Sequence, residues 1–141
     1  MRHLRVLLVL VIAMAVSAGA ILGAPASAPG PFHAITLAPH GELSHVIHDA
    51  GPDAVAAYQA AIDHPDVLAS VPCLCGCIEA LGHTSNLACY VESSTRDVTV
   101  YSTHGLYCPI CQWITADAVA GSAAGMQPAE LWTMIVEKYG G

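Results

Sequence analysis

Positive charge is scarce in this chain of 141 residues: four lysines and arginines stand against eleven acidic residues, a formal net charge of −7. Two of the four, Arg2 and Arg5, sit at the extreme N-terminus, so only Arg96 and Lys138 remain in everything that follows. Binding to a nucleic-acid backbone needs clustered basic residues, and that class of partner is excluded. The sequence also has no phosphate-binding loop and no recognisable set of nucleophile, base and orienting acid, so the reading is that it is not an enzyme. No internal repeat is visible, and strands do not alternate with helices over lengths that would build a parallel sheet. Cysteine is missing before Cys73, which excludes a lipid-modified cysteine near the N-terminus.

Apolar residues are concentrated early. After Arg2 and Arg5, the run Val6 to Gly23 (VLLVLVIAMAVSAGAILG) carries no charge. A basic start followed by such a run is a secretion signal or membrane anchor, here assigned to residues 1–28. The run is about as long as a minimal spanning helix, so composition does not decide between cleavage and anchoring. Ala, Pro, Ser and Gly then dominate, and residues 29–51 read as a flexible linker. His40, His45 and His48 fall in it as a loose group without fixed geometry. The expected location is extracytoplasmic, either secreted or tethered to the cell membrane by residues 6–23.

The domain is assigned to residues 52–141 and is expected to be mainly α: a small helical domain with an irregular cysteine-rich loop. Pro52 suits a first helical position, and Val55, Tyr58 and Ile62 recur at helical spacing, predicting a helix from about Pro52 to Asp63. Pro65 stops it, a short turn follows over 66–70, and Pro72 forces extended backbone into the cysteine run. TSNLACYVE is ambiguous between helix and strand, whereas RDVTVYS alternates as a strand does. Pro109 and Pro128 open two further helices, the second carrying Leu131, Met134, Ile135 and Lys138 at helical spacing. Trp113, Trp132, Tyr58, Tyr139 and Met134 are expected in the core. About 110 mature residues bury less than about 70% of their unfolded surface, a marginal core that crosslinks or metal would assist.

Cysteine is what the sequence has in concentrated form. Cys73, Cys75 and Cys77 occupy alternate positions in VPCLCGC, followed by Cys89 and then by Cys108 and Cys111 in CPIC. His83 and His104 lie beside these groups, each next to a glycine. Residues two apart on extended backbone point to the same side, so the three leading sulfurs can converge where Gly76 lets the chain curl. A bridge between such near neighbours is disfavoured by the geometry of the disulfide bond.

Three chemistries fit this set. The first is metal binding: thiolate and imidazole suit Cu(I) and Zn(II), and eight candidate ligands exceed the four of one tetrahedral ion, so more than one ion fits. Copper is preferred because a three-thiol run matches a soft monovalent ion, with zinc the alternative. The second is a staple of three disulfides, each joining one of Cys73, Cys75 and Cys77 to one of the later cysteines, in an exported interaction module without metal. The third is thiol–disulfide exchange by Cys108 and Cys111 at a helix start. Met126 is a conceivable sulfur donor and Glu79 and Asp97 conceivable outer partners of the histidines. Tyr90, Tyr101 and Tyr107 flank the cluster in sequence.

The blocks AYQAAIDHPDVLASVPCLCGC, GHTSNLACYV and HGLYCPICQWITADAV, with the closing helix, resemble the bacterial PCYCGC-motif proteins, exported or lipid-anchored proteins of largely unknown function. The resemblance runs from Asp53 to Tyr139. It implies a mainly helical extracytoplasmic domain with a metal site formed by Cys73, Cys75, Cys77, His83, Cys89, His104, Cys108 and Cys111. Leu74 departs from the motif, where a tyrosine follows the first cysteine, and the lipid-attachment cysteine of many such proteins is absent.

Overall fold

The structure, a computed structural model, describes residues 34–141, with the side chains of 79 and 80 left out. The expected signal or anchor (1–28) and the start of the expected linker (29–33) lie outside the described residues. Among the described residues no helix is long and apolar enough to cross a membrane.

In chain order the elements are β1 (Ile35–Pro39), α1 (His45–His48), α2 (Pro52–Asp63), α3 (Pro65–Ala69), α4 (Cys77–Leu81), a 3-10 turn at Leu87–Cys89, β2 (Val91–Ser94), β3 (Val98–Ser102), a second 3-10 turn at His104–Leu106, α5 (Pro109–Ala123) and α6 (Pro128–Tyr139). Helix dominates, as the proline and spacing signals predict. The prolines at the starts of α2, α5 and α6 each occupy a first-turn position, where the missing N–H costs nothing. Beside the helices lies a three-stranded antiparallel sheet in the order β1-β3-β2, of which the alternation in RDVTVYS predicts β3.

The sheet corrects the linker assignment. Residues 35–51 belong to the fold: β1 pairs with β3 from Ile35 opposite Ser102 to Pro39 opposite Val98, and Ile47 of α1 is fully buried. Without β1, one edge of β3 would present unpaired N–H and C=O groups. Five residues ending in proline are too few to show strand periodicity against an alanine- and proline-rich background.

α2 buries Ala54, Ala57, Tyr58 and Ala61, a stripe rotated from the expected one, and Val55 and Ile62 are only half-buried. The alanines let the backbone of α2 approach α5, which turns Cys111, Ile114, Thr115, Ala118 and Gly121 inward. α6 packs on the far end of α5 through Leu131 and Ile135. Its start is fixed by a reciprocal capping box in which the Gln127 N–H donates to Glu130 Oε2 at 2.7 Å, an arrangement that contributes about 1 kcal/mol. Asp117 of α5 accepts hydrogen bonds from Lys138 Nζ (2.6 Å) and Tyr139 Oη (2.5 Å), tying the two helices at the surface.

Two aromatic expectations fail. Trp113 and Trp132 are 57% and 49% exposed, because each stands on the outer face of its helix while the inner positions go to smaller residues. Tyr58 is the aromatic centre instead. Its ring meets Tyr90 and Tyr101 edge-on, with centroids 4.9 and 5.9 Å away, and its hydroxyl donates to the Ser102 carbonyl.

Candidate metal centre

Five short segments deliver the expected ligands to one place. Pro72 disfavours helix at Val71 and releases the chain from α3 into the loop that carries Cys73 and Cys75. Gly76 adopts φ +83°, a left-handed conformation that costs a glycine little, and so turns the chain into α4, whose first residue is Cys77. His83 follows α4. Cys89 closes the first 3-10 turn, and His104 opens the second. Cys108 is the N-cap of α5, and Cys111 lies in its first turn.

The sulfurs form one connected cluster with Cys111 as its hub. Cys111 Sγ lies 3.1 Å from Cys108 Sγ, 3.4 Å from Cys75 Sγ, 3.4 Å from Cys89 Sγ and 3.8 Å from His104 Nε2. Cys73 Sγ is 3.3 Å from both Cys75 and Cys89. His104 Nε2 is 2.9 Å from Cys77 Sγ, and the His83 ring stands edge-on to the His104 ring with centroids 5.4 Å apart. All eight expected residues are therefore present. They fall into four overlapping sets of possible ligands: Cys73, Cys75, Cys89 and Cys111; Cys75, His104, Cys108 and Cys111; Cys73, Cys77 and His83; and His83, Cys89 and His104. Within each set the ligand atoms lie within 4.8 Å of one another. A tetrahedral ion with bonds of about 2.3 Å to sulfur holds its sulfurs roughly 3.8 Å apart, so the cluster need open only slightly to enclose one.

The covalent state differs from both sequence expectations. Cys75 and Cys77 are paired as a disulfide with Cα atoms 5.5 Å apart, whereas Cys73, Cys89, Cys108 and Cys111 are free thiols. Near neighbours thus do bridge, against the expectation from disulfide geometry: the left-handed turn at Gly76 lies between them and the two Cα atoms stand at a separation that a disulfide accepts. The three cross-bridges of a staple are not formed, and the remote segments meet through unbonded sulfurs.

Burial is uneven. Cys73, Cys77, His83, Cys89 and Cys111 are buried, while Cys75, His104 and Cys108 are half-buried and face the outside of the cluster. Protons are shared unequally as well. The hydrogen bond from Cys111 holds the Cys108 thiol down at about 4, against the effect of burial and with help from His104. Hydrogen bonds from Cys111 and Cys89 lower Cys73 to about 2. Cys111 is pushed up because its proton is held toward Cys108, Cys73 and Cys89. For Cys89 a hydrogen bond from Cys111 acts downward, but donation to Cys73 and burial outweigh it and raise the thiol. Lowered thiols at Cys73 and Cys108 concentrate negative charge in a largely dry setting, which a cation would offset.

Behind the sulfurs stands a buried polar network that sequence reasoning missed. Asn86 Nδ2 donates to the Cys111 carbonyl at 3.2 Å, and the Thr115 hydroxyl lies 2.6 Å from Asn86 Oδ1, 2.8 Å from Tyr90 Oη and 3.0 Å from the same carbonyl. Asn86 is fully buried and its N–H also donates to the Val71 carbonyl. The network fixes the first turn of α5 relative to the loops on either side. The one sequence signal was position: Thr115 lies four residues beyond Cys111 on the same helix face. Gly105 serves the same end, since a Cβ there would stand 2.5 Å from the Tyr90 ring.

Other expected participants are elsewhere. His40, His45 and His48 are exposed and enter none of the ligand sets among the described residues. Asp97 is exposed at the β2–β3 turn, and the Glu79 side chain lies outside the described residues. Met126 is half-buried and packs toward Gly121. Tyr90 and Tyr101 are buried, whereas Tyr107 is 66% exposed.

A small helical domain with a minor sheet and a Cys/His cluster assembled from its loops is the class that fold and site define. Residues 33–141 match a family described as "Protein of unknown function with PCYCGC motif". The chain belongs to this family, and the match begins just before β1, which again places the strand inside the domain. No curated protein and no solved structure matches the chain.

Proposed function

We propose that this is an extracytoplasmic metal-binding protein, a carrier or sequestering protein for Cu(I), with Zn(II) the alternative cargo. The observation that carries the reading is the position of Cys111 Sγ, within 3.8 Å of the neighbouring Cys108 sulfur and of two sulfurs and one imidazole nitrogen brought from other segments. Thiolates favour soft ions, and neighbouring thiolates hold Cu(I) without the geometric demands of harder cations. The N-terminal apolar run supports export or tethering, which would place the centre outside the cytoplasm. Metal analysis of the protein purified from an oxidising compartment, with thiols counted before and after chelation, tests the reading. Stoichiometric copper or zinc with thiols unmasked by the chelator is expected; protein without metal, its thiols reactive from the start, would refute it.

A second reading, thiol–disulfide exchange, is favoured by the CPIC pair, whose sulfurs lie 3.1 Å apart at the N-terminus of α5 with Cys108 held well below the usual thiol range. Reversible cycling of Cys108 and Cys111 with a small dithiol, in protein free of metal, distinguishes it.

A further inference from the structure

We propose, resting on the metal-binding reading above, that the centre is binuclear and that its two ions share the sulfurs of Cys75 and Cys111. Two of the four ligand sets contain four donors, and they overlap in those two residues alone: Cys73, Cys75, Cys89 and Cys111 on one side, and Cys75, His104, Cys108 and Cys111 on the other. One tetrahedral ion takes four donors, so six gathered in this way exceed a single ion and fit two tetrahedra joined along an edge. The shared edge is the Cys75–Cys111 pair, 3.4 Å apart. With bonds of the length found between zinc and sulfur, about 2.3 Å, ions on either side of that edge stand about 3.1 Å from each other.

The two positions are chemically unlike. The inner ion has four sulfur ligands, three of them on buried residues, and the outer ion has an imidazole and three sulfurs, with only Cys111 buried. The inner ion is shielded from exchange, and the outer one is accessible through half-buried His104 and Cys108. Loading and handover therefore proceed through the outer position. Cys75 serves only as a thiolate, so an external dithiol first reduces the Cys75–Cys77 bond. The dithiol becomes a disulfide, its two hydrogens pass to Cys75 and Cys77, and the Cys75 proton leaves to solvent when the ions bind.

The test uses the full chain, reduced by a phosphine that is oxidised to its oxide with oxygen from water, then titrated anaerobically with Cu(I) and desalted. Two ions per chain are expected, with a metal–metal contribution in X-ray absorption. Cys108→Ser and His104→Gln, both at half-buried positions that spare the core, should each reduce the retained metal to one ion and abolish that contribution. One ion in the unmodified protein, three or more, or two ions retained by both variants would overturn the binuclear centre. No retained metal at all would overturn the metal-binding reading itself.

Discussion

The two ends of α5 are held in opposite ways. At the C-terminal end, Gly121 lies against Leu131 and Met126, and an added Cβ there would stand 2.7 Å from Leu131. This is ordinary close packing, which contributes stability under all conditions. At the N-terminal end, Cys111 and Thr115 face sulfurs, an imidazole and a buried amide. Sulfur and polar contacts there hold the loops in register, but the protons and charges they carry are those a cation would replace. One half of the helix is thus a structural core, and the other is the proposed metal site, whose contribution would then depend on what is bound.

Substitutions at the two ends should separate these contributions. Cys111→Ser should abolish the stabilisation gained on adding metal, about 4 kcal/mol when free metal stands a thousandfold above Kd, read as the difference in thermal midpoint with and without a chelator. An equal metal-dependent gain in this variant would erase the distinction between the halves. Leu131→Ala should cost about 3 kcal/mol in denaturant unfolding while leaving metal stoichiometry unchanged. Lost metal binding in that variant would mean that the packed end and the site are one cooperative device. Asn86→Ala removes the donor to the Cys111 carbonyl and should cost about 1–3 kcal/mol, with weaker metal retention as a second readout.

The smallest effect belongs to the surface link between α5 and α6. Partial burial of Asp117 acts to raise its carboxyl, but the hydrogen bonds from Lys138 and Tyr139 win and hold it below its ordinary value. A lowered folded value means that this link stabilises the protein above about the ordinary carboxylate range and that the contribution is lost as pH falls through the folded value. Asp117→Asn should therefore cost under about 1 kcal/mol at neutral pH, as exposed pairs do, and the gap to the unmodified protein should close in acid. A gap that widened on acidification would reverse the sign argued here.

Much of this organisation was legible in the chain. Pro52, Pro109 and Pro128 mark the starts of the three long helices, because proline at a first-turn position is a local signal that needs no tertiary knowledge. The eight cysteines and histidines that the fold gathers were legible for a similar reason: cysteine and histidine carry their chemistry wherever they fall. Features created by the third dimension were hidden. β1 exists because β3 offers an edge, and nothing within ITLAP announces it. Trp113 and Trp132 stand outward because alanines and Gly121 take the close contacts, which composition alone reverses. Asn86 resembles any loop asparagine until its amide is found beneath Cys111. The Cys75–Cys77 pair depends on the left-handed turn at Gly76, a dihedral that residue identity permits without dictating.

X-ray absorption at the metal edge of the loaded protein tests the central claim most directly. The account predicts a first shell dominated by sulfur at about 2.3 Å with a minor imidazole contribution. A first shell of oxygen and nitrogen without sulfur would contradict it, because the metal would then lie somewhere other than among these cysteines.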